Sequence, residues 1–170
     1  MNAQQYHDFI VPAASRFFPE KFNTPAARAM VIAWALQESD LQHRQQLIGG
    51  FRDWWKSEKG PAAGFGQFER IGIRGVLEHR ASADLVRVVL DIFGYPDDVE
   101  TIFKALIHND LLGAVFIRLA LWRLPQPLPT GPDQADEAWN QYLLAAAPGK
   151  PKKEKWARNY AEAWRVVNGN

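Results

Sequence analysis

The sequence predicts an all-α single domain, residues 1–170, of about seven to eight helices with little or no sheet. Apolar residues recur at helical spacing along most of the chain, and helix-capping side chains stand just before several of these stretches. No stretch alternates apolar and polar positions over the length of a strand with β-branched residues. The length of 170 residues also fits the roughly 100–200 residues of one domain.

The first two helices are predicted from signals of different strength. A weaker helix over 6–18 is interrupted by Pro12, because proline inside a helix lacks a hydrogen-bond donor. The second begins at Thr24-Pro25, which pairs a capping hydroxyl with a proline at the first helical position. The run 26–37 that follows is apolar nearly all round, so we expect a central, buried helix.

The rest of the chain predicts five further helices. Asp97 or Asp98 can open one of them, Asn109 can cap the next, and Gly94 marks a helix end. The predicted ranges are 82–93, 97 or 98 to 107, 111–124, 133–147 and 151–167.

Two long connections are predicted to be irregular. The segment 125–132 is rich in proline and should form a stiff, extended loop. The segment 41–61 directly follows the buried helix and carries Trp54-Trp55. A loop of that length in a compact domain is usually functional.

Composition excludes several classes of function. The chain has no cysteine, which rules out disulfides, cysteine-ligated zinc, iron–sulfur clusters and thiol nucleophiles. A net charge of +1 disfavours nucleic acid as a partner. The apolar stretches are shorter than the ~20 residues of a membrane span, and the N-terminal residues do not read as a Sec signal. The histidines show no metal-binding spacing, so neither a metal nor another cofactor is expected.

Glu38 is the first candidate catalytic residue, because it ends the buried helix. Burial and the negative partial charge of a helix C-terminus both disfavour a carboxylate, so both raise its pKa. A carboxylic acid that stays protonated near neutral pH can act as a general acid on a glycosidic oxygen. The structural alternative is a solvated glutamate at a frayed helix end.

The segment Gly64-Phe65-Gly66-Gln67 is the second candidate. Its glycines allow the backbone to approach a ligand closely, and the Gln67 amide offers both a donor and an acceptor. An ordinary turn is the alternative interpretation.

Together these motifs resemble the lysozyme-like superfamily, in particular goose-type lysozymes, lytic transglycosylases and their small bacteriophage relatives. That family has a Glu-Ser pair at the end of a buried helix, followed by Gly-x-x-Gln after small residues; here these are Glu38-Ser39 and Gly64 to Gln67. The resemblance covers 33–69 best and the last third more loosely, through 139–142 and 149–160. It implies that Glu38 is the catalytic acid and that Ser39 and Gln67 position it or the sugar.

The activity that the resemblance implies is cleavage of the β-1,4 bond between N-acetylmuramic acid and N-acetylglucosamine in peptidoglycan. Glu69 is the best candidate for a second catalytic carboxylate, with Asp53 and Asp40 as other possibilities. A carboxylate that activates water would make the enzyme a hydrolase. Without one, attack by a hydroxyl of the sugar itself would make it a lytic transglycosylase.

The glycan should lie in a groove that Gln67 and the Phe65 and Gly66 backbone help to form. Candidate aromatic walls for that groove are Trp54, Trp55, Phe65, Phe68 and Trp122. The other tryptophans, Trp34, Trp139, Trp156 and Trp164, are expected to pack in the core.

The chain departs from the family pattern in two ways. The spacing from Glu38 to Gln67 is long, so the loop 41–61 looks like an insertion. The family's later Ala-Tyr-Asn segment, whose tyrosine supports the glutamate, is not evident, which leaves Arg118 or Trp122 as candidates to face the site. An arginine beside Glu38 would lower its pKa and oppose acid catalysis.

These departures leave two other functions open. One is a weakly active or inactive lysozyme-like module that binds glycan, or has a structural role, in a virion or secretion device. The other is an unrelated α-helical interaction domain. The expected partners are peptidoglycan glycan strands and other phage virion proteins, without nucleic acid or membrane, for a monomer made in the bacterial cytoplasm and delivered to the wall by a virion or during lysis.

Overall fold

Helices make up most of residues 1–48 and 58–169, which the computed structural model describes. In chain order they are α1 (Ala3–Gln5), α2 (Val11–Ser15), α3 (Pro25–Ser39), α4 (Arg70–Glu78), α5 (Ala83–Phe93), α6 (Val99–His108), α7 (Asp110–Trp122), α8 (Ala135–Ala146) and α9 (Lys153–Val167). A π-helical turn, Tyr6–Ile10, joins α1 to α2 in one continuous helix. With α1, the π-helical turn and α2 counted as one helix, the described ranges hold eight helices around one core, and the all-α prediction is confirmed.

A short antiparallel pair of strands lies within the described part of the segment 41–61 and just beyond it. Strands β1 (Gln45–Ile48) and β2 (Glu58–Ala63) pair with Gln45 opposite Ala63 and an irregular register towards Leu47. The expectation that 41–61 is irregular throughout is therefore wrong for residues 45–48 and 58–61, which are in strands. Neither strand shows the alternation that predicts a strand, and β2 contains a Gly-Pro pair that usually argues against one.

The helix boundaries follow the capping residues that the sequence indicates. The side chain of Thr24 accepts a hydrogen bond from the Ala27 amide at 3.1 Å, and Asn109 accepts one from Leu112 at 2.9 Å. Asp98, rather than Asp97, caps α6. These side-chain acceptors satisfy amide groups that have no partner within the first turn of a helix.

The predicted interruption by Pro12 takes the form of the π-helical turn that precedes it. Proline removes one helical donor and crowds the preceding turn, and a wider π turn accommodates it. The helical stretch runs over 3–15, so it begins and ends earlier than the predicted 6–18.

Helix α4 is not predicted from the sequence. Its buried side chains are Ile73, Val76 and Leu77, a spacing that matches one helix face. Gly72 and Gly75 lie between them, and glycine lowers helix propensity. Packing of the apolar face against α5 and α6 therefore outweighs a weak local preference.

The core is built around α3. Met30, Ile32 and Ala33 are fully buried, and the helix packs along α9 on one side and against α7 on another. No helix within the described ranges is long and apolar enough to cross a membrane.

Two glycines provide a test of how tightly this core is packed. A Cβ on Gly66 would lie 2.7 Å from the Phe68 ring and 2.8 Å from Ile117, whereas nothing lies within 4 Å of a Cβ on Gly113 in α7. We predict that Gly66→Ala lowers the free energy of unfolding by about 1–3 kcal/mol through overpacking. Gly113→Ala should raise it by up to about 1 kcal/mol, because alanine is the better helix former. Urea denaturation measures both changes, and equal effects of the two substitutions would contradict the close packing at Gly66.

Candidate active site

Glu38 lies half-buried in the last turn of α3, beside a tyrosine of α8. The Tyr142 hydroxyl donates a hydrogen bond to Glu38 Oε1. Tyr142 is itself buried, with its ring 5.0 Å from that of Trp156 and 5.2 Å from that of Trp139, centre to centre. Trp34 meets the Tyr142 ring edge-on at 5.5 Å. These rings hold the tyrosine hydroxyl in place against the carboxyl.

The environment of Glu38 raises the pKa of its carboxyl above the ordinary value, as the sequence predicted. Burial is the largest cause, and the negative charge of Glu69 adds to it. The hydrogen bond from Tyr142 and the positive charge of Lys155 act in the opposite direction but do not outweigh burial. Glu38 therefore keeps its proton to a higher pH than a solvated glutamate does.

The residues on either side of Glu38 fix the helix end to two different parts of the chain. Gln37 is buried and bonds to α9, accepting from the Asn159 side chain at 3.0 Å and donating to the Lys152 carbonyl at 2.9 Å. The Ser39 hydroxyl lies 2.9 Å from the Ala35 carbonyl oxygen and 3.0 Å from that of Phe65. Ser39 thus joins the two predicted motifs; it is buried and fixes the helix end to the turn instead of facing solvent, where the predicted contact with substrate would require it.

The Gly64–Gln67 segment forms a tight turn bridged by paired hydrogen bonds between the Ala63 and Phe68 backbones. Gly64 has a φ of +72°, and a Cβ there would lie 3.0 Å from the Leu106 carbonyl oxygen, so glycine fits for two reasons. Gln67 also has a positive φ, of 48°. Its amide nitrogen donates to the Gly64 carbonyl at 2.7 Å and to that of His43 at 3.3 Å, which braces the turn.

Other predicted groove residues face the core. The Phe65 side chain is buried against Tyr6, with the Arg44 guanidinium 4.5 Å from its ring centre. The carbonyl of Gly66 accepts a hydrogen bond from the Trp34 indole at 3.0 Å. Phe68, also buried, stacks on Trp34. The expectation that Phe65 and Phe68 form groove walls is therefore wrong, because both rings contribute to the core.

Trp122 and Arg118 lie away from Glu38. The Trp122 ring packs 5.7 Å from that of Phe18 and 4.5 Å from that of Phe22, next to the start of α3. The Arg118 guanidinium lies over Phe18 and Trp122. The prediction that Trp122 binds substrate, and the expectation that Arg118 or Trp122 faces the site, are therefore wrong. The face of α7 that carries both side chains turns towards the opposite end of α3.

Acidic and basic side chains lie near Glu38. Glu69 is exposed at the N-cap position of α4 and close enough to Glu38 to influence its charge. The Asp40 carboxylate, at the C-cap of α3, pairs with Lys155 at 2.8 Å. Asp40 and Leu41 both have positive φ, of 50° and 56°, so the chain leaves α3 through two consecutive left-handed residues.

Tyr142 and Lys155 were not predicted to lie at the site. The spacing of three residues between Trp139 and Tyr142 places both on one helix face, and this spacing is the sequence feature from which the position of Tyr142 could be predicted. Trp54, predicted to bind substrate, lies outside the described residues, as do Asp53 and Trp55. Within the described ranges, no group of three or more histidines and acidic residues could hold a metal ion.

The Tyr142 hydrogen bond should control the acidity of Glu38. We predict that Tyr142→Phe raises the Glu38 pKa further, because the hydroxyl stabilises the carboxylate. A carbon-13 NMR titration of the carboxyl group measures this shift. Tyr160→Phe is the matched control, since that hydroxyl donates to the Gly131 carbonyl instead. An unchanged or lower Glu38 pKa in Tyr142→Phe would contradict the assignment.

The raised pKa also makes the stability of the fold depend on pH. The folded state holds the Glu38 proton more tightly than the unfolded state, so its contribution is complete below the unfolded pKa of about 4.3 and is lost as pH rises through the folded pKa. We predict that Glu38→Gln gains stability relative to the wild type between pH 4 and pH 7, by about 1.4 kcal/mol for each unit of upward pKa shift. Urea denaturation at both values tests this, with the exposed Glu78→Gln as control. A constant difference would rule out a raised pKa.

Comparison with known proteins adds no relative from which a function could be transferred. No protein family, no curated protein and no solved structure matches the chain.

Proposed function

We propose that this protein cleaves the glycan strands of peptidoglycan at the β-1,4 bond between N-acetylmuramic acid and N-acetylglucosamine, with Glu38 as the general acid. The observation that carries the proposal is the half-buried Glu38 carboxyl with a raised pKa, held by Tyr142 next to the Gly64–Gln67 turn. A protonated carboxylic acid on a fixed scaffold is what protonation of a glycosidic oxygen requires.

The hydrogen bonding of Glu38 favours one position for the proton. Because Tyr142 donates to Oε1, that oxygen acts as an acceptor, and the acidic proton belongs on Oε2. No described residue makes a hydrogen bond to Oε2. This oxygen is therefore the one that can deliver a proton to the leaving group.

The reaction would begin with proton transfer from Oε2 to the glycosidic oxygen as the bond from that oxygen to the sugar C1 breaks. Water or a hydroxyl of the same sugar then attacks C1 and forms the new bond. The proton of that nucleophile passes to the Glu38 carboxylate or to a second base. Glu69 supports the hydrolytic route, since it is exposed and influences the charge of Glu38.

The alternative is a glycan-binding or structural module without strong activity. The absence of an evident Ala-Tyr-Asn segment from the sequence favours that alternative. Tyr142 of α8 makes the contact to the glutamate that such a tyrosine would provide. This contact favours the enzyme over the module.

Turbidity clearing of purified peptidoglycan tests the proposal. We predict that the wild type clears the suspension and that Glu38→Gln lowers the rate by roughly 10²–10⁴-fold, the usual contribution of general acid catalysis. Glu78→Gln, on the exposed end of α4, is the matched control and should retain the full rate.

The outcomes of this experiment separate the alternatives. Clearing that survives Glu38→Gln would remove Glu38 from the mechanism. Sedimentation with peptidoglycan without clearing by the wild type would favour the binding module. Mass spectrometry of the products distinguishes hydrolysis from formation of an anhydro sugar, and loss of the hydrolytic product alone in Glu69→Gln would assign water activation to that residue.

A further inference from the structure

A cavity of about 520 Å³ lies at the opposite end of α3 from Glu38. Its walls come from the start of α3, the proline-rich loop 125–132, the end of α9 and one side chain of α7. The volume falls within the range of roughly 300–1,000 Å³ that small-molecule sites occupy. Nothing in the proposed glycan cleavage uses this cavity.

Arg118 gives the cavity a buried positive charge. Its side chain lines the cavity, yet only 9% of the residue is exposed. One guanidinium nitrogen reaches the Phe22 carbonyl oxygen at 3.4 Å. No guanidinium nitrogen is both buried and without a hydrogen-bond partner, so the N–H groups without a protein acceptor among the described residues face solvent. No described carboxylate forms an ion pair with Arg118.

The Arg118 charge persists despite its burial. Burial lowers the pKa of the guanidinium to about 10, so the group remains protonated at neutral pH. The rings of Phe18 and Trp122, 5.2 and 5.1 Å away, stabilise a cation only in part. A largely buried charge without an opposite charge is unfavourable, even where part of the group still contacts solvent. An anion in the cavity would provide the missing partner.

The start of α3 adds to the attraction for an anion. Thr24, Pro25 and Ala26 line the cavity at the N-terminal end of this 15-residue helix. A helix N-terminus carries a positive partial charge of roughly half an elementary charge. The partial charge of the helix N-terminus and the charge of the Arg118 guanidinium together favour the binding of a monoanion.

The rest of the wall is mainly apolar. Phe22, Pro127, Leu128 and Trp164 contribute aromatic and aliphatic surface, and no acidic residue lines the cavity. Thr130 and Asn168 are the other polar residues in the lining. Such a wall gains from burying a hydrocarbon body and offers few groups that could solvate a multiply charged ligand.

We propose that this cavity binds an organic monoanion, with its carboxylate on the Arg118 guanidinium and its hydrocarbon body against Phe22, Leu128 and Trp164. The planar guanidinium matches a carboxylate through two parallel hydrogen bonds. The site is separate from Glu38 and does not depend on the proposed glycan cleavage.

Calorimetric titration with octanoate tests this inference on the full chain. We predict that octanoate binds the wild type at least tenfold more tightly than 1-octanol, which has the same apolar body, and than inorganic phosphate, which lacks one. Amide NMR shifts at Thr24, Ala26 and Thr130 should report the binding. Equal affinity for octanoate and octanol, or tighter binding of phosphate, would overturn the proposal.

Three variants locate the site. Arg118→Gln removes the charge and should weaken octanoate at least tenfold while octanol binding stays unchanged. Leu128→Trp fills the cavity, leaves the charge in place and should abolish octanoate binding, so the proposal can fail even if Arg118→Gln does not fold. Arg28→Gln is the matched control, because Arg28 bonds to Asn23 and does not line this cavity. Octanoate binding that persists in Leu128→Trp would place the ligand elsewhere and overturn the proposal.

Discussion

The hydrogen bonds that Gln37 and Ser39 make on either side of Glu38 are the constraint on which the candidate active site depends. Gln37 fixes the end of α3 to α9, and Ser39 fixes it to the turn that carries Gln67. Consecutive residues on a helix point in directions about 100° apart. With its two neighbours bonded to different parts of the chain, the helix end is held against rotation, so the direction in which the Glu38 side chain leaves the helix is set before any ligand binds. The hydrogen bond from Tyr142 then orients the carboxyl itself.

An ionisable group lies at each end of the central helix, in a position where the helix dipole disfavours its charged form. Glu38 lies at the C-terminal end, where the helix dipole disfavours a carboxylate, and Arg118 of α7 lies near the N-terminal end, where it disfavours a cation. Burial increases both penalties. Groups whose protonation equilibria are disturbed in this way cluster at functional sites. These two groups lie at the two proposed sites, and the apolar core between them supplies the stability that offsets their unfavourable placement.

Much of this fold could be predicted from local signals, whereas the site could be predicted only in part. The cap at Thr24, the apolar run of α3 and the stop at Gly94 are encoded within a few residues of where they act. Contacts over long separations are different: Tyr142 meets Glu38 across 104 residues, and no local pattern relates the two. The rotation of a helix about its axis decides where Trp122 faces, and α7 is too uniformly apolar for its sequence to fix that rotation. For α4, tertiary packing overrides two glycines that conceal the helix.

The left-handed backbone next to the site limits which sequences can form it. Asp40, Leu41 and Gln67 all adopt positive φ without being glycine, a conformation that is unfavourable by roughly 1–2 kcal/mol for each residue. Valine and isoleucine, whose branched Cβ tolerates this conformation worst, are effectively forbidden at all three positions, while asparagine and glycine fit the backbone with less strain. The backbone conformation thus limits which residues can occupy these three positions, and this limit holds whether or not the site is chemically active. A chain that lost its activity would still be expected to carry the same restricted residues around it.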